Sequence, residues 1–502
     1  MGRSLLFLIA TGAVVSACTV GPDYEAANLD TPERYAERSW SPVAIDADSA
    51  EVKWWETLGD PQLTSLIEQA LASSPDLALA EARLREARSL VGVDEAALLP
   101  RVGTASEYRR LRLSENLPVL DEFIDRGQID RDQELFTAGF DASWEIDVFG
   151  GSRRSVEAAV RRADASVEQR RAVAVSLVAE VAREYFELRG NQARLAALEE
   201  ALAARESLLA WAEDAERAGL SSRRAIVDAT AEVDALASRM PMLRSAVAAS
   251  AYRIALLTDR PVRETWDRLR ERRPLPAAPD AVPVGLPGEL LRRRPDVRGA
   301  ERQLAAATAD IGVAVSDLYP KFYLTGQAGL QSSSFGDLFD GGSGAWSIGP
   351  AVRWPIFQGG RIRANIDAAE ARADAEMVRY HSRVRQAIVD VETALTRYGR
   401  AWQRRARLAS SEASLQRGVK LAEAGASSGL STRREVLRAE LRLAETRARL
   451  AAARAEVLTA LASVNKAVGG GWEADLAVDA EASSASAAEA SQPASDEENR
   501  TK

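Results

Sequence analysis

From Ser152 to Ala218 the chain runs for 67 residues without a proline and with a single glycine, Gly190. A continuous helix of that length, rising 1.5 Å per residue, reaches about 100 Å. No ordinary globular domain needs such a rod. Apolar residues step along it at helical spacing, Val156, Ala159, Val160, Ala163 and Val167, then Val173, Leu177, Val181, Tyr185 and Leu188, with charges on the remaining faces. Gly219-Leu220-Ser221 ends it: Gly219 suits the left-handed position after a helix, and Ser221 suits an N-cap of the next. A return helix is expected from Ser222 to about Leu257.

The plan is then repeated. Pro75-Asp76 through Leu98-Leu99-Pro100 is matched by Pro295-Asp296 through Leu318-Tyr319-Pro320, and Gly219-Leu220-Ser221-Ser222-Arg223-Arg224 by Gly429-Leu430-Ser431-Thr432-Arg433-Arg434. Between them Val148-Phe149-Gly150-Gly151 answers to Ile356-Phe357-Gln358-Gly359-Gly360. Three landmarks in one order read as two structural repeats of about 200 residues each. In the second, a long helix is expected from Arg361 to Glu423 and a return to Ala467. The expected division is a signal peptide at 1–17, an N-terminal segment at 18–61 and a first repeat at 62–269. A proline-rich connection at 270–288, a second repeat at 289–472 and a disordered acidic tail at 473–502 complete it. Residues 62–98 read as one helix, capped by Asp60 with Pro61 at its first position.

Before each rod the period changes from helical to two. Phe136, Ala138, Phe140, Ala142 and Trp144 alternate with Thr137, Gly139, Asp141, Ser143 and Glu145. Phe322 to Gln331 alternates likewise, as does Trp346 to Ile356, while Val102 to Leu113 alternates poorly. Four strands follow, a hairpin per repeat. Their length and alternation fit transmembrane barrel strands, with Phe136, Phe140, Trp144, Phe322, Trp346 and Trp354 as the membrane aromatics. Four strands cannot close a barrel, so several protomers would have to share one. The pattern alone also fits a soluble sheet packed on helices.

Chemistry is scarce. Cys18 and His381 are the only cysteine and histidine in 502 residues, which excludes a disulfide and a Cys/His zinc site. The net charge of −9, with no sustained basic block, argues against nucleic acid. Arg3, the apolar run Leu5 to Val15 and Val15-Ser16-Ala17-Cys18 read as a signal peptide whose end resembles a bacterial lipobox, with Cys18 lipidated. Thr19 rather than aspartate after it favours the outer membrane.

A helix, a hairpin, a rod, a turn and a half-length return, all duplicated, resemble the TolC-like outer membrane factors. Cys18-Thr19-Val20-Gly21-Pro22-Asp23-Tyr24, Trp54-Trp55 and Asp60-Pro61-Gln62-Leu63 resemble the NodT-type efflux lipoprotein branch. So do Trp144 through Gly150, Leu291 through Arg298, Ala309 through Ala314, Gly349-Pro350 and Lys466 through Trp472. The resemblance implies a mainly α fold with membrane β: a homotrimer whose twelve strands, four per protomer, form one outer-membrane barrel continuous with a periplasmic α-helical barrel. It implies a passive, non-enzymatic conduit without cofactor or metal, seated among outer-membrane lipids. A periplasmic adaptor protein would link it to an inner-membrane pump of the RND type. Gly219, Leu220, Ser221, Gly429, Leu430 and Ser431 would be the adaptor-contacting tips.

Family members often carry an aspartate nine residues after the tip glycine; Asp228 keeps it and Arg438 replaces it in the second repeat. Asp228, Glu423, Arg433, Glu435 and Arg438 are thus the candidate periplasmic gate. Arg153, Arg154, Arg361 and Arg363 open the rods, where the helix dipole disfavours cations, and are assigned to lipid phosphates. The rivals are a conduit for type I protein secretion, a lipid-anchored helical scaffold and an anchored carboxylate hydrolase. The acids lie along helices among arginines rather than on convergent loops, which disfavours the last.

Overall fold

The structure, a computed structural model, describes residues 19–26, 32, 35, 53–114, 130–279, 288 and 293–472. The signal peptide, Cys18 and the tail at 473–502 lie outside them, as do residues 280–287 of the proline-rich connection. In order, the elements are α1 (Pro61–Ser73), α2 (Pro75–Ala96), β1 (Arg101–Arg112), β2 (Asp132–Ile146), α3 (Gly151–Arg217), α4 (Arg223–Ala237), α5 (Met240–Leu257) and α6 (Val262–Leu269). There follow α7 (Pro295–Ser316), β3 (Lys321–Ser332), β4 (Gly344–Arg353), α8 (Arg361–Ser427) and α9 (Arg433–Val468).

Both rods form, each 67 residues long. The segment expected as one helix over 62–98 is two. Ser74 is extended at ψ 129° because the ring of Pro75 disfavours a helical residue before it and supplies no N–H. Asp60 caps α1 as expected, accepting from the backbone N–H of Gln62 and Leu63 at 3.0 and 3.2 Å. The return helices also differ. The second is a single run of 36 residues, whereas the first breaks at Ser238–Arg239 into α4 and α5, with Pro241 in the first turn of α5. Pro241 cannot continue the hydrogen-bond ladder of α4, so a new helix starts.

The described residues divide into two compact units. One falls within Met1–Ala27, Arg85–Ala165 and Ala300–Arg379, the other within Asn28–Leu84, Ser166–Gly299 and Tyr380–Lys502. The first holds the sheet, antiparallel in the order β1-β2-β3-β4. Its register pairs Phe140 with Thr104 and Ala328, Trp144 with Leu324, Ile146 with Phe322, and Ala328 with Trp346. Register partners share a face, so Phe136, Phe140, Trp144, Phe322 and Trp346 lie together with Leu324, Ile348 and Val352. The opposite face carries Glu107, Thr137, Asp141, Gln327 and Ser347. Trp354 departs from expectation: β4 ends at Arg353 because Pro355 follows, and the Trp354 indole donates to the Leu318 carbonyl at 3.0 Å instead. Trp144 makes the matching bond to Leu98 at 2.9 Å. Each indole thereby ties a helix-to-strand corner, just before Pro100 or Pro320.

Two details of the sheet matter later. Gly139 and Gly329 are partners at its centre. A Cβ on Gly139 would lie 2.7 Å from the Ala328 carbonyl oxygen and 2.8 Å from Gly329 Cα, and one on Gly329 2.5 Å from the Ala138 oxygen. Pro350 lies within β4 opposite Leu324. Gln331 N–H bonds the Ser343 carbonyl at 2.8 Å, which makes the odd-numbered β3 residues the hydrogen-bonded pairs and turns the Pro350 nitrogen to the open edge.

The second unit is built on a core that includes Trp55, Leu63, Ile67, Tyr185, Phe186 and Tyr398. Gly190, the lone glycine in the interior of the first rod, sits where a Cβ would collide with that of Ala455 on α9. A helix-interior glycine costs about 1 kcal/mol in propensity; here it permits the two helices to touch. Among the described residues no helix is long and apolar enough to cross a membrane, which says nothing of strands.

Candidate functional site

The two turns after the rods are built alike. Gly219 and Gly429 adopt φ of 72° and 73°. Leu220 N–H reaches back to the Ala215 carbonyl and Leu430 N–H to that of Gly425, both at 2.8 Å, while Gly219 N–H bonds Glu216 at 2.8 Å. This is the Schellman closure that satisfies the last carbonyls of a helix. It leaves Leu220 and Leu430 projecting, 84% and 86% exposed. Two leucines held in water by ordered turns are an apolar surface without a cover. The caps of the next helices are Ser222 and Thr432, one residue later than expected, and Ser221 does not cap. Thr432 forms a capping box with Glu435, whose carboxylate accepts from Thr432 N–H at 2.8 Å.

That box gives Glu435 a local duty, and among the described residues no ion pair joins the five candidate gate residues to one another. Asp228 pairs with Arg224 on its own helix at 3.8 Å. Glu423, Arg433 and Arg438 are exposed.

Other charged groups, unassigned by the sequence reading, are locked inside. Arg189 is fully buried on α3. Its guanidinium donates to Gln192 Oε1 and the Glu271 carbonyl, both at 2.6 Å, and to Gln62 Oε1, and lies 5.2 Å over the Tyr185 ring. Tyr185 donates to Asp60 at 2.7 Å. Burial, and then that hydrogen bond, push its hydroxyl up to about 12, so it remains a donor at neutral pH. Arg294 reaches both oxygens of Asp296 at 3.0 and 2.8 Å, Asp390 at 3.1 Å and the Ala467 carbonyl at 2.9 Å. Burial works to raise the Asp296 pKa, but the Arg294 guanidinium outweighs it and holds the carboxyl below its usual range. A carboxylate lowered in the folded state stabilises above its unfolded pKa and loses that contribution as pH falls through the folded one. Asp296→Asn is therefore expected to lower the thermal midpoint at pH 7 and to approach wild type below pH 4; an equal deficit at both pH values would refute this.

Three of the four rod-opening arginines have partners within the chain, and Arg363 is exposed. Arg153 bonds Asp147 through its backbone N–H at 2.9 Å and its Nε at 3.3 Å. Arg154, its side chain 5% exposed, pairs with Asp23 at 2.6 Å and Glu157 at 2.7 Å and donates to the Val20 carbonyl at 3.2 Å. It fixes the segment after residue 18 to the start of α3. Carboxylates supplied at the helix N-terminus offset the unfavourable dipole. Arg361 turns to Gln358 at 2.7 Å. The closing Trp472 lies under Arg171 and Arg298, 4.5 and 5.9 Å from the ring, both paired with buried Glu168 at 2.8 and 2.7 Å. Arg294-Pro295-Asp296 and the final glycine-tryptophan were visible as motifs. Arg189 had one signal, an arginine one helical turn after Tyr185 on the apolar face.

The sequence profile of the outer membrane efflux protein family matches residues 66–259 and 286–470. Nodulation protein T of Rhizobium leguminosarum bv. trifolii is 30% identical over 462 residues, spanning 91% of this chain and 96% of that one. The antibiotic efflux pump outer membrane protein ArpC of Pseudomonas putida is 29% identical over 483 residues, 94% of this chain and 96% of that one. The solved outer-membrane channel OprN superposes with a TM-score of 0.81 at 31% identity, covering 91% of this chain and 100% of its own. On these matches the chain belongs to the outer membrane efflux protein family, with the fold of TolC-like outer-membrane channels.

Proposed function

We propose that the protein is the outer-membrane channel of a tripartite efflux system, passively conducting small molecules and drugs handed over by a periplasmic adaptor and an inner-membrane RND-type pump. The observation that carries this is the sheet: one face apolar, the other polar, and both edges, β1 and β4, unpaired among the described residues. Three copies of four strands make a barrel of twelve with no edge left open. The double match of the family profile supports a duplicated architecture and the division into repeats at 62–269 and 289–472. Relatives described as antibiotic and toluene efflux pump proteins support small-molecule cargo over secreted protein. In this reading Cys18 is lipidated and anchors the mature chain, and the long helices form a tunnel that catalyses nothing.

Cross-linking of the full-length protein extracted from membranes should stop at a trimer, and the trimer should conduct ions in planar bilayers. A monomer without conductance would sink the proposal. The exposed Leu220 and Leu430 are assigned to the adaptor. Leu220→Asp with Leu430→Asp should abolish adaptor pull-down and restore drug sensitivity while trimer yield stays unchanged; retained pull-down would free the tips from this role. The gate is assigned to Asp228, Glu423, Arg433, Glu435 and Arg438. Asp228→Arg or Arg438→Asp should raise single-channel conductance, and an unchanged trace removes that residue.

A further inference from the structure

The hairpin end of the sheet carries a surface that conduction does not use. The apolar face ends there in Tyr108 and Phe136, register partners with rings 4.8 Å apart. Phe335 packs on Phe136 at 5.7 Å and Phe339 on Phe335 at 6.4 Å, both from the connection between β3 and β4. Tyr108, Phe335 and Phe339 are 54%, 64% and 73% exposed. On the same face, the next two register pairs are Arg110 with Glu134 and Arg112 with Asp132. Their ion pairs are long, 3.7 and 3.9 Å, and the arginine side chains are 61% and 65% exposed. Glu134 also accepts the Tyr108 hydroxyl at 3.2 Å. Arg109, on the opposite face, is by contrast held by Glu107 at 2.8 Å.

We infer that Arg110 and Arg112, set above this aromatic ledge, bind the phosphate groups of a phosphorylated lipid headgroup in the outer leaflet. The inference rests on the sheet spanning the membrane with its hairpin connections outward, as the attachment of the other strand ends to helices directs. Aromatic rings mark the boundary between acyl chains and headgroups. Two residues further along a strand is about 7 Å, the depth at which headgroup phosphates begin. Guanidinium forks take phosphate oxygens in pairs, and a long, solvent-exposed ion pair holds them only weakly against such a ligand. A soluble protein partner would leave the rings beneath unexplained, because they continue the apolar face of the sheet without a break.

The test uses the full-length trimer in neutral detergent micelles doped with a bisphosphorylated glycolipid (lipid A), the same lipid stripped of phosphate, or inorganic phosphate alone. Lipid A should survive gel filtration with the protein, and the dephosphorylated lipid should not. Arg110→Gln with Arg112→Gln should cut retention about tenfold, and the lysine pair should keep part of it. Arg109→Gln should change nothing. Equal retention by the glutamine pair, an equal loss at Arg109→Gln, or displacement by low-millimolar inorganic phosphate would overturn the assignment. Conductance without lipid retention sinks only this inference, whereas absence of a conducting trimer sinks the reading beneath it.

Discussion

Arg189→Ala is expected to be among the most damaging single substitutions outside the sheet, costing about 4 kcal/mol: two buried side-chain acceptors and a main-chain carbonyl lose a charged donor, and a cavity opens. The acceptors are Gln62 Oε1, Gln192 Oε1 and the Glu271 carbonyl. The two glutamine acceptors have no water as an alternative, since Gln62 and Gln192 are themselves buried. The same guanidinium gathers α1, α3 and the chain just after α6, so its loss should also loosen residues 270–279. Denaturant unfolding and protease cleavage in that segment would read both effects. Arg189→Lys should recover only part of the loss, because an ammonium cannot span acceptors that a planar fork reaches together. If alanine and lysine are both as stable as wild type, the knot is idle.

The second large effect is expected at the centre of the sheet. Gly139→Ala or Gly329→Ala drives a methyl into backbone rather than into a movable side chain. Overpacking of this kind costs about 1–3 kcal/mol where the surroundings can shift, and the paired main chains of β2 and β3 cannot shift without breaking register. Folded protein in outer-membrane fractions should fall several-fold in either variant while total expression holds. Gly326→Ala is the control: it lies three residues from Gly329 in β3, and its nearest obstacle is the Ser347 carbonyl at 3.7 Å. A full loss at Gly326→Ala, or none at Gly139→Ala, would show that backbone closeness is not the cause.

These two sites differ in how far the sequence announces them. The rods, the tip turns and three of the strands follow from local rules: absence of proline, a glycine at the helix end, alternation by two. β1 alternates poorly because its outer half carries Arg109, Arg110 and Arg112 on both faces, yet it pairs with β2 along its whole length. The breaks at Ser74 and Ser238 were also local, written in Pro75 and Pro241, but a periodic apolar stripe on either side conceals them. Trp354 continued an alternation that Pro355 cuts short. What sequence order hides is long-range polar pairing. Arg154 meets Asp23 across 131 positions and Arg189 meets Gln62 across 127. Nothing in an arginine's neighbours distinguishes a solvated one from one that, like Arg154, holds a segment in place.

Pro350 has a consequence for symmetry. With its nitrogen on the open edge, β4 offers any neighbouring strand one donor fewer at mid-length, whereas β1 contains no proline and offers its full row. An isologous pairing of β4 with its twofold copy would forfeit two hydrogen bonds, each worth about 1 kcal/mol net, and a heterologous pairing of β4 with β1 only one. The proline therefore tilts association away from closed pairs and toward head-to-tail rings.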